Sequence, residues 1–361
     1  MSKVNKEMNA MVTVGHGGLE KIVYHNNWPR PEPKAGEVLI RVRACGLNNT
    51  DVNTRTGWYS KTVNEATTGY AFEKVGEADS TWGGKPITFP RIQGADVCGE
   101  IVGVGDDISA SRIGQRVITD GWLRDPIDPF NKNKTGYFGS ECDGGFADYT
   151  VIPSSNALSI NSNLTDAELA TFSCSYSTAE GMLNRANVTK IDTVLVPGAS
   201  GGVGGALIQL SKRRKARVIA LASEAKYEDV ISLGADKVLP RSPKNIKRAL
   251  GNERISVVAD VVGGDLWQEW IDILDRGGRY VCSGAIGGPM VGFDLRTLYL
   301  RDLTFYGSTV LEPKVTIDLV RYIEAGEVKP CLAAKFKLNE LREAQEAFIA
   351  KEHTGNIVVT T

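Results

Sequence analysis

The chain has 361 residues, enough for one large or two ordinary domains, and its 42% hydrophobic and 24% charged content is typical of a globular protein. Lys plus Arg (42) nearly balances Asp plus Glu (43), so charge gives no support for binding to nucleic acid or an anionic membrane. Residues 1–10 are polar, and no apolar run of about 18 residues occurs anywhere. We therefore expect no nucleic-acid partner and no membrane segment.

The six cysteines are scattered singly along the chain. This is not the pattern of a disulfide framework, and unpaired cysteines suit a reducing compartment. We therefore expect a cytoplasmic protein.

The N-terminal part, up to about residue 155, is rich in Gly and Pro, which separate short β-like runs. These runs are VLIRVRAC (38–45), EIVGVG (100–105), QRVITDG (115–121) and FADYTVIP (146–153). The pattern predicts an irregular, mostly β domain.

From about residue 160 onward, apolar strands alternate with helices. The predicted strands are TVLVPG (193–198), RVIALAS (217–223), KVLP (237–240), ISVVADVVGG (255–264) and RYVCSGA (279–285), and the predicted helices cover 204–215, 227–234 and 266–278. This alternation predicts an α/β domain with a doubly wound parallel sheet. Helices near 313–326 and 338–351 and the strand NIVVTT are expected to return to the first domain.

A glycine-rich loop joins the first parallel strand to its helix, in VLVPGASGGVGGALIQL (194–210). Glycines at such a junction permit a tight turn, let backbone N–H groups approach a pyrophosphate, and let the helix pack on the sheet. Ala199 replaces the usual first glycine. We predict a dinucleotide site formed by Ala199, Ser200, Gly201, Gly202, Val203 and Gly204.

The end of the next strand bears on which dinucleotide binds. An acidic residue there would bind the ribose of NAD and repel the 2′-phosphate of NADP, but this strand ends at Ala222 and Ser223. Ser223 can donate to a phosphate, and Lys226 lies about one turn further on. NADP(H) is therefore favoured. Two alternatives stay open: Glu224 takes the ribose role, or Lys226 is an ordinary surface lysine.

Several segments together resemble the medium-chain dehydrogenase/reductase superfamily, in its zinc-independent quinone oxidoreductase and enoyl reductase-like branch. They are PEPKAGEVLIRVRACGLNNTDVNTRTGWY (31–59), QGADVCGEIVGVG (93–105), DGGFADYTVIP (143–153), STAEGML (177–183), GASGGVGG (198–205), SLGADKVL (232–239), VVADVVGG (257–264) and GNIVV (355–359). The resemblance implies a GroES-like catalytic domain (1–158 and 311–361), a Rossmann cofactor domain (159–310), and an active site in the cleft between them.

The resemblance also bears on zinc. The positions of the catalytic zinc ligands in zinc alcohol dehydrogenases are matched here by Asn48, Ala95 and Cys174, so only one thiolate remains. The stretch near 121–142, which matches the structural-zinc lobe, contains Cys142 alone. A single thiolate cannot build a tetrahedral site. We therefore expect no metal, and a site made of Asp51, Asp96 and Cys174 is a poorer alternative.

Without a Lewis acid, the accessible hydride acceptors are those already activated, namely α,β-unsaturated carbonyls and quinones. The resemblance then implies catalytic roles for Asn48, Thr50, Asp51 and Tyr59, with Asn48 and Tyr59 donating to the substrate oxygen. Two alternatives are structural. Tyr59 and Trp58 could form an aromatic wall, and Asp51 could form an ion pair with Arg55, four residues on.

Further residues are expected near the nicotinamide. Thr178 matches the family threonine of that region, and Ser283, Gly284 and Ala285 follow a strand and can offer backbone contacts. Asp260 also ends a strand and is a further candidate, although its role could be limited to capping the following turn. The long segment 58–90, with Tyr70, Phe72 and Trp82 as anchors, is a candidate lid, or else an ordinary surface excursion.

The sequence therefore predicts an NADP(H)-dependent enzyme that reduces a small-molecule enone or quinone and forms a homo-oligomer, a dimer or a tetramer. Two other functions stay open. One is a zinc-free carbonyl or alcohol dehydrogenase, and the other is a catalytically silent NADPH-binding scaffold or sensor.

Overall fold

The computed structural model describes residues 6–361; residues 1–5, part of the polar segment considered above, lie outside the described residues. The chain divides into two compact units. The first runs to Val63 and also contains Thr68–Cys174 and Thr316–Thr361. The second contains Asn64–Thr67 and Ser175–Val315.

The N-terminal part is mostly β, as predicted from its short apolar runs. Its strands are β1 (Glu7–Thr13), β2 (Ile22–Pro29), β3 (Glu37–Gly46), β4 (Arg91–Ile92), β5 (Asp96–Val104), β6 (Arg116–Thr119), β7 (Trp122–Leu123), β8 (Gly136–Tyr137), β9 (Tyr149–Pro153) and β10 (Ala157–Ser159). The short helix α1 (Asn49–Thr56) lies between β3 and β4, and the short helix α2 (Asp166–Leu169) follows β10.

The remaining chain alternates between helices and strands. They are α3 (Ser173–Arg185), β11 (Thr193–Val196), α4 (Gly202–Arg213), β12 (Arg217–Ala222), α5 (Tyr227–Ser232), β13 (Lys237–Pro240), α6 (Ile246–Leu250), β14 (Ile255–Asp260), α7 (Trp267–Asp272), β15 (Leu274–Cys282), α8 (Leu295–Leu300), β16 (Thr304–Gly307), α9 (Lys314–Glu324), β17 (Leu332–Lys337), α10 (Leu341–Ala350) and β18 (Asn356–Thr360). Across the described ranges, none of the helices has the length and apolar character that crossing a bilayer requires.

The first unit is built around a seven-stranded sheet in the order β10-β6-β5-β3-β18-β17, with β9 also paired to β3. A three-stranded sheet has the order β2-β1-β4, and β7 and β8 form a hairpin. The predicted return of the C-terminal strand is confirmed, because β18 pairs antiparallel with β3, from Val358 opposite Gly46 to Thr360 opposite Ala44. This pairing brings the last strand to the end of β3, directly before α1.

The second unit contains a six-stranded parallel sheet in the order β13-β12-β11-β14-β15-β16. In chain order its strands stand third, second, first, fourth, fifth and sixth, which is the classical doubly wound order. The direction of winding reverses between β11 and β14. In open sheets of this kind, ligands bind beyond the carboxyl ends of the strands at that reversal. The glycine-rich loop follows β11 at this position.

The helix predicted over 266–278 is wrong in its second half. Helix α7 ends at Asp272, and β15 begins at Leu274, whose side chain is buried. Gly277 and Gly278 lie inside the predicted helix, and Gly277 has a positive φ of 74°. Glycine is a poor helix former, and a left-handed residue cannot continue a right-handed helix, so the helix could not have extended through these two positions.

Candidate functional site

Asn48 and Asp51 are fixed by the start of α1, which follows β3 almost directly. Asn48 holds the N-cap position with an extended backbone, and its N–H donates to Oδ2 of Asp51 over 2.7 Å. A carboxylate in the first turn also complements the helix dipole. Asp51 therefore caps its own helix and sets the conformation of Asn48, and both side chains are buried.

Arg55 does not form the ion pair that its spacing from Asp51 suggested. Its buried guanidinium donates to Oε1 of Gln345 (3.1 Å) and to the carbonyl oxygens of Gly17 (2.6 Å) and Gly69 (3.3 Å). Buried carbonyls need donors, and these ones draw the side chain away from Asp51. Burial lowers the pKa of Arg55 to about 10, so it stays cationic at neutral pH and joins three distant segments of the first unit.

Asp96 lies at the start of β5 and is fully buried. Its Oδ1 accepts a hydrogen bond of 2.9 Å from the N–H of Cys174, and the amide of Asn48 lies close enough to lower its pKa. Among the described residues, however, neither Nδ2 of Asn48 nor Oδ2 of Asp96 has a hydrogen-bond partner of acceptable geometry. Buried polar atoms are usually paired in folded proteins. Of the described atoms without such a partner, these two belong to one cluster with Asp51 and Cys174.

Both buried carboxyl groups hold protons more tightly than usual. Burial raises the pKa of Asp96 to about 7, against the opposing interactions with Asn48 and Cys174. Burial likewise raises the pKa of Asp51 to about 7, opposed by the N–H of Asn48 and reinforced by the nearby Asp96. Near neutral pH, both groups therefore bind a proton more readily than an exposed carboxyl group does.

Tyr59 follows α1 and is partly exposed. Its hydroxyl shares hydrogen bonds with the side chains of Thr50 and Asn53, and burial raises its pKa above the ordinary value for a phenol. The phenol is therefore neutral at physiological pH and can donate. The structure thus brings Asn48, Thr50, Asp51 and Tyr59 together at one end of α1. The Trp58 ring contacts the Tyr59 ring edge-on at 5.7 Å, so the aromatic-wall alternative also stays open.

Tyr137, on β8, belongs to the same cluster and was not predicted. Its hydroxyl donates to the sulfur of Cys174, and burial raises its pKa well above the usual value, reinforced by Cys174 and Asp96. No spacing rule connects position 137 with residues 48–59, because the contact arises only from the fold. The one feature of the sequence that pointed to this stretch was its match to the structural-zinc lobe.

The segment 58–90 has fewer aromatic anchors than predicted. Trp82 is an anchor, because its ring packs edge-on against Trp122 at 4.7 Å. Phe72 is partly buried. Tyr70 is 73% exposed, so its assignment as an anchor is wrong. Next to Tyr70, the segment is attached through its backbone instead. The carbonyl oxygen of Gly69 accepts a hydrogen bond from the guanidinium of Arg55. The proposed lid function stays a prediction.

In the glycine-rich loop of the second unit, Gly204 has no room for a side chain, whereas Gly201 has open space beside it. A Cβ added at Gly204 would lie 2.7 Å from Cα of Ala199, so only glycine lets the helix pack this closely. A Cβ at Gly201 would have no neighbour closer than 3.6 Å, which leaves open space at the start of α4. No side chain caps this helix end. The first N–H groups of a helix lack partners within the helix, and their contact with a pyrophosphate stays a prediction. The other residues that the sequence assigned to the dinucleotide site lie in the same loop, and their contact with the cofactor stays a prediction: Ala199, Ser200, Gly202 and Val203.

The end of β12 carries no acidic residue. Ala222 is buried, Ser223 is partly exposed, and Glu224–Lys226 form a short 3₁₀ turn in which the N–H of Lys226 donates to the carbonyl of Ser223. Glu224 is exposed. Ser223 and Lys226 both follow the strand end, and their contact with a 2′-phosphate stays a prediction.

Asp260 has a structural role. Its Oδ1 accepts from the N–H of Val262 (2.7 Å), and its Oδ2 accepts from the hydroxyl of Tyr280 (2.7 Å). It therefore caps the turn after β14, as the simpler alternative held. Ser283, Gly284 and Ala285 follow β15 and are partly exposed, as is Thr178 on α3. Their contacts with a nicotinamide stay a prediction.

The residues at the zinc positions do not fit a zinc ion. Asn48 and Ala95 offer no thiolate or imidazole. Across residues 6–361, no group of three or more His, Cys, Asp or Glu side chains is arranged to hold a metal ion, and this includes the alternative set of Asp51, Asp96 and Cys174.

Comparisons with known proteins agree with this architecture. Residues 34–162 match the family described as alcohol dehydrogenase GroES-like domain, and residues 202–325 match the family described as zinc-binding dehydrogenase. The second range contains none of the three positions Asn48, Ala95 and Cys174.

Two curated relatives span the whole chain. An acryloyl-coenzyme A reductase of Metallosphaera sedula is 27% identical over 98% of this chain and 100% of its own length. A quinone oxidoreductase of Homo sapiens is 26% identical over 99% of each chain.

A solved structure from Sinorhizobium meliloti 1021, provisionally assigned as an alcohol dehydrogenase, is 42% identical. It covers 100% of this chain and 98% of its own, with a TM-score of 0.89. By these matches the chain belongs to the medium-chain dehydrogenase/reductase superfamily, whose members are oxidoreductases that use nicotinamide nucleotides.

Proposed function

We propose that the chain is an NADP(H)-dependent reductase that transfers hydride to an activated small-molecule acceptor, an α,β-unsaturated carbonyl or a quinone, without zinc. The carrying observation is that a buried hydrogen-bond donor, Nδ2 of Asn48, stands unpaired where a zinc ligand would otherwise be. The relatives named as acryloyl-coenzyme A reductase and quinone oxidoreductase support acceptors of these two kinds.

In this proposal the side chains of the first unit stabilise the charge that develops on the acceptor. Bound NADPH supplies the hydride. Nδ2 of Asn48 and the hydroxyl of Tyr59 donate to the acceptor oxygen as it becomes an enolate, and Thr50 with Asn53 holds the phenol. Asp51 fixes Asn48 through its backbone N–H. A proton from Tyr59, replaced from solvent, completes the reduction, so that one enone, one NADPH and one proton give the saturated carbonyl and NADP⁺.

The second unit would hold the cofactor. The open space at Gly201 and the uncapped start of α4 suit the pyrophosphate. Ser223 and Lys226 would contact the 2′-phosphate, because no carboxylate at the end of β12 repels it. Thr178 and the Ser283–Ala285 segment would contact the nicotinamide, with Ser283 held by its N–H donating to the carbonyl of Asp260 over 3.1 Å.

We also retain the division into a GroES-like catalytic domain (1–158 and 311–361) and a Rossmann domain (159–310) as part of the proposal. A homo-oligomer, a dimer or a tetramer, belongs to it as well. So does a cytoplasmic location, which rests on the scattered cysteines.

Cofactor oxidation with three acceptors tests the proposed function. NADPH and NADH consumption would be followed with cyclohex-2-enone, 1,4-benzoquinone and a saturated aldehyde, each corrected for the reaction without protein. We expect turnover of the enone or the quinone, with a preference for NADPH. Turnover of the aldehyde alone would instead indicate a carbonyl reductase. Tight NADPH binding without any turnover would indicate a silent binding protein.

A further inference from the structure

Three aromatic side chains of the first unit form one packed group, Trp82, Trp122 and Tyr137, which we call the aromatic triad. The hairpin of β7 and β8 places Trp122 opposite Tyr137, and their ring centroids are 4.8 Å apart. Trp82 packs on both, at 4.7 Å from Trp122 and 6.0 Å from Tyr137. All three contacts are close to edge-on, which is a favourable geometry for aromatic pairs. The Tyr137 ring is therefore held in place by two indoles.

Gly121 makes room for this arrangement. A Cβ at this position would lie 2.9 Å from Cε2, 3.0 Å from Cζ and 3.2 Å from the hydroxyl oxygen of Tyr137. Any side chain at position 121 would thus push the phenol end of the ring. The position of the Tyr137 hydroxyl therefore depends on the absence of a side chain one residue before Trp122.

The Tyr137 hydroxyl is attached to the same buried cluster as Asn48. It donates to the sulfur of Cys174, whose backbone N–H donates to Asp96, and the amide of Asn48 lies against Asp96. The cluster consequently contains two phenols from separate elements, Tyr59 after α1 and Tyr137 on β8. Cys174 and Asp51 both help to raise the pKa of each phenol, so both phenols belong to the surroundings of the same two side chains.

We propose that the Tyr137 hydroxyl is a second hydrogen-bond donor to the acceptor, which gives the site a preference for planar acceptors that carry two oxygens. This inference rests on the proposed function. Asn48 and Tyr59 bind the oxygen on which charge develops, and Tyr137 turns from the thiol of Cys174, a weak acceptor, to the second oxygen. A carbonyl is a stronger acceptor than a thiol, so the exchange is favourable. The rings of Trp82 and Trp122 limit how far the Tyr137 phenol can move. The site therefore favours acceptors whose two oxygens are separated by the distance between the two groups of donors.

A matched pair of acceptors isolates the second oxygen. Cyclohex-2-enone and cyclohex-2-ene-1,4-dione have the same six-membered ring and the same reducible double bond, but one and two carbonyl oxygens respectively. In Tyr137→Phe we expect kcat/KM for the dione to fall about tenfold, the usual effect of one lost hydrogen bond, while the value for the enone stays within about twofold. Tyr59→Phe should lower kcat/KM for both acceptors.

Two further variants distinguish a change in acceptor selectivity from a general loss of folded protein. Gly121→Ala keeps every polar group but displaces the phenol, so it should lower the dione-to-enone ratio as Tyr137→Phe does, and it decides the question if Tyr137→Phe does not fold. Tyr70→Phe, at an exposed position, should leave the ratio unchanged. Equal losses for both acceptors in Tyr137→Phe and Gly121→Ala, or no change in either, would overturn the inference while leaving the proposed function intact. Failure of the wild-type protein to reduce either acceptor would instead overturn the proposed function.

Discussion

At the scale of single residues, the candidate site contains a buried polar cluster that is incompletely paired. Asn48 and Asp96 each keep one polar atom without a partner among the described residues, and both are almost entirely inaccessible to solvent. Leaving such an atom unsatisfied costs about 1–3 kcal/mol. In the proposed function, the acceptor oxygen would pair with Nδ2 of Asn48 and remove part of this cost.

The raised pKa of Asp96 predicts how stability depends on pH. Its folded-state pKa, about 7, lies above the ordinary value of 3.8, so the folded state binds more protons between these values. Its contribution is therefore fully present below about pH 4 and is lost as pH rises through about 7. In Asp96→Asn, which keeps an oxygen for the N–H of Cys174, we expect the loss in stability between pH 5 and pH 8 to shrink by about 1–4 kcal/mol.

Chemical denaturation of wild type and Asp96→Asn at the two pH values provides this measurement. Asp106→Asn, at an exposed position, is the control and should follow the wild type. Equal pH dependence in all three proteins would show that Asp96 titrates normally.

Tyr59→Phe tests the chemical step. The phenol donates most strongly in the transition state, when negative charge has moved to the acceptor oxygen, so its loss should lower kcat about tenfold or more and leave NADPH affinity nearly unchanged. Asn48→Ala should act in the same direction, and the double variant should show less than additive loss if both residues serve one oxygen. Steady-state kinetics with a good enone would check this. Wild-type turnover in Tyr59→Phe would place Tyr59 in the aromatic wall beside Trp58.

At the scale of elements, the sequence pattern predicted the parallel sheet and the two C-terminal helices well, but it did not predict helix α1. Strands such as β11 and β12 are continuous apolar runs bounded by turns, and such runs specify buried strands. Helix α1, with the sequence NTDVNTRT, has almost no apolar residues, yet six of its side chains are buried. Its burial comes from partners far along the chain, as with Arg55 and Gln345. No local pattern reveals such contacts, and Tyr137 was missed for the same reason.

The lack of an acidic residue at the end of β12 predicts a preference for NADPH over NADH. Placing a carboxylate there with Ala222→Asp should weaken NADPH binding more than NADH binding, because it repels the 2′-phosphate and can bind the ribose hydroxyls of NADH. We expect the preference to shift by about 1–3 kcal/mol, a reasonable value for one charge-assisted contact. Dissociation constants for both nucleotides measure this. Glu224→Gln is the informative control, since a selective loss of NADH affinity there, with tighter NADH than NADPH binding by the wild type, would give the ribose role to Glu224.

The two glycines of the cofactor loop should fail in different ways. Gly204→Ala places a Cβ against the backbone of Ala199, so we expect it to destabilise the second unit by about 1–3 kcal/mol. Gly201→Ala meets no protein atom closer than 3.6 Å and should leave thermal stability unchanged, but its methyl group would occupy space that the pyrophosphate needs. Melting temperatures and NADPH titrations of the two variants test this. Equal melting temperatures, or normal NADPH affinity in Gly201→Ala, would contradict the proposed loop geometry.

At the scale of the whole molecule, the two units contain different parts of the proposed chemistry. The first contains the proposed donors, Asn48, Tyr59 and Tyr137, and the second contains the glycine-rich loop and the end of β12. The sequence already indicated this division, because short β runs and alternating helices and strands occupy separate stretches of the chain. The resemblance to medium-chain dehydrogenases added which positions bind zinc in zinc alcohol dehydrogenases. Asn48 and Ala95 at two of these positions are the basis of the proposed metal-free mechanism.

The metal content of the active protein tests this central claim most directly. Purified protein would be dialysed against a strong chelator, analysed for bound metals, and assayed for NADPH-dependent reduction of an enone before and after the treatment. We predict that it contains no stoichiometric metal and keeps its activity, because hydrogen-bond donors and not a Lewis acid polarise the acceptor. One zinc ion per chain, with activity that is lost on its removal and restored by its return, would contradict the account.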